Sequence, residues 1–394
     1  MPKVLKIVAA ILLLSACDNL ELSTDQQDVF VKYYGSWNTD AGNDIVAFGE
    51  GYLVLTTMTS ARQNTEIVLL HTNKFGNIFD QGIDTLSSVR GGNNTASSLL
   101  TTRDGGIVIL GTVTDTLNDN TDIYVQKLNS DLSNAWENIL GDEANQTGAA
   151  IQPVADGFII AGSTDASDVG NGNSAGKKDV FLVKIDSEGA VEWSKNYGGS
   201  GDEFAADILS TDQGFMILGT TNGFHEPGQA NNNIILIKTN LSGGAPDMAT
   251  FGGSNNDFGA ALVKASEEGF VLLGTVENVT GSSSNVYVVK ISEDIHQTAW
   301  EYITEFPSRG LAMINSEDNY CIAGSKQLAG GSAAYFLKLT PAGEKLTENS
   351  YGGYGQSINS LTATFDSGYI MTGTSGVPGN EKILLIKVNN HGDL

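Results

Sequence analysis

Only two cysteines, Cys17 and Cys321, occur in 394 residues, so no internal disulfide survives if Cys17 serves another purpose. Cys321 sits inside a strand-like run, where a buried, inert thiol is the expectation. Histidine is as scarce: His71, His225, His296 and His391 share no spacing that would hold a metal. Four arginines, Arg62, Arg90, Arg103 and Arg309, are too scattered for an anion-binding triad. CxxC and a glycine-rich phosphate loop are both absent, which removes the usual signatures of redox and nucleotide chemistry. Basic residues number 21 against 46 acidic ones, a formal charge of −25 that argues against nucleic acid as a partner. No apolar run outside the first residues approaches the roughly 18 needed to suggest a membrane-spanning helix.

What the chain does hold is repetition. Gly, an aromatic or aliphatic residue, two apolar residues, a small residue, Gly and Ser/Thr mark one strand. The mark starts at Gly51, Gly106, Gly157, Gly214, Gly269, Asn319 and Gly368, at intervals of 49 to 57 residues. A strand apolar on both faces starts at Ile67, Ile123, Val180, Ile234, Val286, Tyr335 and Ile383. The clearest unit, Asp179 to Thr220, reads as four short alternating strands separated by Gly/Asp/Asn turns. A sheet with two apolar faces cannot fold alone, and a ring of such sheets leaves no end uncovered. The expected fold is all-β: a seven-bladed β-propeller of four-stranded antiparallel blades, monomeric, over residues 29–394. A third marker, a strand with a large residue, follows six of the double-sided strands, with Phe79, Trp136, Trp193, Trp300 and Leu346 its clear cases and Met248 to Phe251 weaker. The seventh copy lies at the amino end, where Asp28 to Ser36 resembles Trp193 to Ser200, so an N-terminal strand is expected to complete the C-terminal blade. The recurrent tryptophans then read as blade-to-blade packing. Gly111, Gly162, Gly219, Gly274, Gly324 and Gly373 read as bulges or close backbone approaches, with Thr56 in that place in the first unit.

The first residues read as an address. Lys3 and Lys6 precede the apolar run Ile7 to Leu14, and Leu14-Ser15-Ala16-Cys17 resembles the lipobox of bacterial lipoproteins. That resemblance implies a signal peptide over 1–16, an acylated Cys17 as anchor to a lipid bilayer, and a polar tether over 17–28. Asp18 and Glu21, with the Asn/Asp/Gly-rich composition, resemble Bacteroidetes lipoproteins, which implies the outer membrane and its cell-surface or periplasmic face. The repeats around Asp156 to Asp165 and Asp179 to Ser200 resemble those of bacterial secreted and lipoprotein propellers, and distantly those of kelch and quinoprotein propellers. A lipid-anchored propeller is also similar in architecture to the accessory lipoprotein of the outer-membrane barrel-assembly machinery.

For sites, the loops between second and third strands, and from one blade into the next, share one face. The longest there, Ser163 to Lys178 and Thr221 to Asn233, offer Lys177, Lys178, Phe224 and His225 as ligand-binding candidates. A polar residue precedes each inner strand: Asp40, Asn94, Gln146, Glu203, Asp257, Ser308 and Gln356. Converging at the channel mouth, these could bind a polar ligand or a divalent cation such as calcium; alternatively each bonds the backbone of its own turn. No cofactor and no catalytic residue is expected. The leading expectation is a non-catalytic protein-interaction scaffold or accessory subunit. A surface glycan- or nutrient-binding lipoprotein using Phe224 and Tyr354 is the alternative, and a propeller hydrolase or lyase a further one.

Overall fold

The computed structural model describes residues 28–36, 38–86, 92–116, 120–166, 178–224, 231–277 and 283–394. Seven separate four-stranded antiparallel sheets make up these residues, and none of the described residues is helical. No helix among them is long and apolar enough to cross a membrane. The inner strands of blades one to seven are Ala41–Phe48, Thr95–Thr101, Gln146–Val154, Glu203–Thr211, Asp257–Lys264, Ser308–Ser316 and Gln356–Ala363. The unit Asp179 to Thr220 straddles two blades, giving the outer two strands of blade three and the inner two of blade four.

Closure follows the expected route. Phe30–Tyr34 pairs antiparallel with Asn380–Val388, Phe30 opposite Lys387 and Tyr34 opposite Ile383, as the outer strand of blade seven. It also does an outer strand's work on the next blade. The Tyr34 hydroxyl donates to the carbonyl of Gly76, in the outer turn of blade one, as the Tyr197 hydroxyl donates to Gly243 in blade four.

Seams between blades are fastened at two depths. Trp136 lies over the turn of blade three and its indole N–H donates to Ser187 O at 2.9 Å; Trp300 does the same to Pro341 O at 3.1 Å in blade six. Nearer the axis, a hydroxyl closing the Gly-Ser/Thr mark accepts the amide of the next blade's inner strand. Thr57, Thr112, Ser163, Thr220 and Thr275 bond Ala96, Gly148, Ala205, Gly259 and Gly310 at 3.0 to 3.3 Å. An amide at the edge of a sheet needs a partner when water is excluded, and the repeated hydroxyl supplies it.

The repeated glycine has its own cause. Every inner strand carries a bulge, and the residue just before it pairs with Gly111, Gly162, Gly219, Gly274, Gly324 or Gly373 in blades two to seven. In blade one the glycine has changed sides, Gly42 pairing with Thr56. A bulge brings the two backbones together locally, leaving no room for Cβ on one of them.

Lysine is the unexpected member of the third strands. Lys127, Lys184, Lys238, Lys290, Lys338 and Lys387 share one register, at which blade one has His71. Lys184, Lys290, Lys338 and Lys387 are buried, and carboxylates such as Asp156, Glu192, Glu267 and Asp366 cover three of these heads. Methylene stems thus fill the interior while the ammonium reaches a partner at its edge. His71 instead lies against Phe48 and Phe79, ring centroids 5.9 and 4.6 Å away.

Candidate functional site: the loop face and the channel entrance

The structure places the seven polar residues at the start of the inner strands, Gln146, Glu203, Asp257, Ser308 and Gln356 as first strand residues and Asp40 and Asn94 one place before. All are buried. Asp40 accepts from the amides of Ser36 at 2.6 Å and Thr59 at 2.9 Å, and Asn94 from Thr114 N at 3.1 Å. Gln146 accepts from Asp142 N at 3.2 Å and donates to Thr164 Oγ1 at 3.2 Å. Glu203 accepts from Gly199 N at 2.8 Å and the Thr221 hydroxyl at 2.7 Å, while Asp257 accepts from the amides of Gly253 and Glu277. Ser308 accepts from Val286 N at 3.2 Å and Gln356 from Gly353 N at 2.7 Å. These side chains latch the crossing from one blade to the next, bonding their own turns or the adjoining strands. Burial raises the Asp257 carboxyl, and the amide bonds oppose that.

Of the loop candidates, Lys177 and His225 lie outside the described residues, as do Cys17, the leader and the tether up to residue 27. Phe224 is half-buried, its amide on Thr221 Oγ1 at 3.1 Å and its ring packed against the core of blades three and four. Lys178 is fixed by its backbone, which donates to Asp202 Oδ1 at 3.0 Å and accepts from Glu203 N at 2.7 Å. Its ammonium stands 5.5 Å from the centroid of Phe204.

Two carboxylates that the sequence reading passed over occupy the inner strands directly after the bulge. Asp44 in blade one accepts from Leu99 N of blade two at 2.6 Å and from the Ser360 hydroxyl of blade seven at 2.6 Å. Asp207 in blade four accepts from Leu262 N of blade five at 2.7 Å and from its own neighbour Ile208 N at 2.8 Å. Burial raises both, and Asp207 is pushed up to about 7, the negative charge of Asp44 adding to the effect. The folded chain therefore holds this proton through a pH range where the unfolded chain, with a carboxyl near pKa ~4, has lost it. Its contribution to stability is complete below about pH 4 and is lost as pH rises through 7. Urea unfolding of the native chain and Asp207→Asn at pH 5 and pH 8 checks this. The native chain is expected to lose about 1–2 kcal/mol relative to the variant over that interval, the half-buried position of Asp207 moderating the full shift. Parallel pH profiles would refute it.

Burial pushes the Cys321 thiol up to about 11, and it lowers His71 below the ordinary imidazole value. Among the described residues no three His, Cys, Asp or Glu side chains gather as a metal-holding group.

No protein-family model matches the chain, and no curated protein does. Solved structures do resemble it. Puromycin hydrolase superposes with a TM-score of 0.55 at 12% identity over 89% of this chain, which spans 52% of that hydrolase. Polysaccharide lyase Uly1 gives 0.54 at 12% identity, covering 91% of both chains. The propeller domain of the Trilobed protease from Pyrococcus furiosus gives 0.50 at 10% identity, covering 90% of this chain and 97% of that one. The likeness is one of fold. That protease domain is described as having an open velcro topology, whereas here Phe30–Tyr34 zips the last blade shut.

Proposed function

We propose that this chain is a non-catalytic, lipid-anchored binding propeller whose loop face docks a protein partner, as scaffold or accessory subunit of an outer-membrane or surface complex. The supporting observation is an apolar patch on that face between blades six and seven. Tyr354 is 79% exposed and Val377 64%, with Leu328 beside them. Their loops pack closely: Gly376 N donates to Gly355 O at 3.2 Å, and a Cβ on Gly353 would stand 3.7 Å from Leu328 Cδ1. Single exposed apolar residues are ordinary, but an aromatic flanked by two aliphatics on a rigid scaffold is the composition of an interface anchor.

Strand direction supports the orientation. Phe30 lies opposite Lys387, at the end of that strand away from the Val377–Asn380 loop, so the chain enters the ring on the face opposite the patch. A tether over residues 18 to about 28, reaching roughly 35 Å from an acylated Cys17, would turn the loop face away from the membrane.

The test is cross-linking and affinity recovery of the full tagged chain from membranes. The expected result is one reproducible protein partner, recovered at least roughly tenfold less with Tyr354→Asp at unchanged melting temperature, and a Cys17→Ser form that leaves the membrane fraction. Equal recovery with Tyr354→Asp, or no reproducible partner, would overturn the docking reading.

A further inference from the structure

The residue after each buried latch is a different matter. One place along, blades one to seven carry Ala41, Thr95, Thr147, Phe204, Phe258, Arg309 and Ser357. Side chains alternate along a strand, so where the latch residues turn in, these turn out. They do so at the loop-face end of the strands that border the channel. Phe204 is 42% exposed and Phe258 38%, on neighbouring blades, and Arg309 is exposed on the next. Thr95 of blade two is exposed too, with Thr147 of blade three and Ser357 of blade seven half-buried. Among the described residues Arg309 forms no ion pair, and Lys178 lies over the ring of Phe204.

From this constellation we infer that the channel entrance is a subsite for one carboxylate-bearing sugar unit of an acidic saccharide. Aromatic faces suit the C–H face of a pyranose ring, hydroxyl side chains suit its hydroxyls, and a guanidinium with no carboxylate of its own suits a carboxylate bidentately. In a chain of formal charge −25 Arg309 would accept one anionic group, while the acidic body discourages a densely charged polyanion. A purely apolar guest, such as a hydrophobic peptide side chain, would leave Arg309 and the threonines without use. The site shares the loop face with the Tyr354 patch but uses other side chains, so it does not depend on it.

Calorimetric titration of the full detergent-solubilised chain tests the assignment, using three carboxylated probes and their neutral counterparts. These are trigalacturonate with galactotriose, a glucuronate-containing tetrasaccharide with its carboxyl-reduced form, and sialyllactose with lactose. Free galacturonate, added as a fourth titration, tells a lone sugar acid from a chain unit. At least one acidic probe is expected to bind roughly tenfold or more tightly than its neutral counterpart. Arg309→Gln should remove that preference, Arg309→Lys should keep part of it, and Phe258→Ala should weaken acidic and neutral forms together. Because both side chains are exposed, melting temperatures should hold. The inference fails if no acidic probe outbinds its neutral form, or if the preference survives Arg309→Gln. Partner recovery through Tyr354 could still succeed in that event, so the two failures are separable.

Discussion

A chain that begins at Gly35, without Phe30–Tyr34, is expected to unfold with roughly 5 kcal/mol less stability than the full chain, a loss visible as a much lower melting temperature. Five residue pairs join this strand to Asn380–Val388, and the net worth of a backbone hydrogen bond is about 1 kcal/mol. Packing adds to that. Phe30 and Tyr34 lie against the cluster of Ile45, Tyr52, Val54, Val68, Leu70, Ile370, Ile383 and Leu385, which is the core of the seam between the last blade and the first. Phe30 also covers Gly76 of blade one, as Trp193 covers Gly243. Removing the strand therefore opens one blade edge and one interblade surface at once, and an open edge invites pairing with other chains. Calorimetry on the shortened chain, with and without a synthetic peptide spanning Asp28 to Ser36, measures this. Partial recovery of the melting temperature by the peptide is the expected companion result. An unchanged melting temperature in the shortened chain would mean that the ring holds itself closed without this strand.

Much of the ring was legible in the sequence because a repeat reports its own geometry. Seven copies of two strand markers require seven sheets, and the likeness of Asp28–Ser36 to Trp193–Ser200 located the closure. Even the glycines and the Gly-Ser/Thr ending carried physical meaning: one marks the bulge, the other the hydroxyl that crosses to the next blade. The surface was harder, for a definable reason. Polarity in a turn leaves two readings open, a side chain at the channel mouth or one that bonds its own turn, and Asp40, Glu203 and Gln356 take the second. The exposed position is the next one, and Phe204, Phe258 and Arg309 have nothing in common by composition. A shift of one residue along a strand exchanges the two faces, so residues alike in composition mark the buried face here. The available signal was the alternation itself, counted from the latch. Asp44 and Asp207 escaped because only two of seven blades carry them, so no repeat draws attention to the place where they bridge neighbouring inner strands. The lysine register was similarly masked by its apolar neighbours. Lys184 sits within Val-Phe-Leu-Val-Lys-Ile, and only the partners Asp156 and Glu192 show why a charge is tolerated there.

Gly162→Ala is expected to cost about 3 kcal/mol or more, although it adds a single methyl group in a strand at the centre of blade three. Its Cβ would stand 2.0 Å from the carbonyl oxygen of Thr147 and 3.1 Å from the carbonyl carbon. That obstacle is backbone, held by the pairing of Gln146–Val154 with Gly157–Thr164, so no rotamer can relieve it. Either the inner strand retreats or its bulge is lost. Retreat would also strain the bond from Gly148 N to Thr112 Oγ1 of blade two, so the damage should spread to the seam. Gly49→Ala is the comparison. It stands in an open turn at φ 55° with nothing within 4 Å of the added methyl, and should cost only the left-handed backbone penalty of roughly 1 kcal/mol. Urea unfolding of both variants separates a steric cause from a conformational one. Thr56, at the equivalent place in blade one, shows what a tolerated side chain needs: its partner there is Gly42, and its hydroxyl donates to Val68 O at 2.9 Å. Gly148 already stands opposite Gly162, so a missing Cβ across the pair is not sufficient; the carbonyl of Thr147 must also be elsewhere. If Gly162→Ala were as mild as Gly49→Ala, the bulge would be a soft feature, and the recurrence of glycine at six of these places would need another cause.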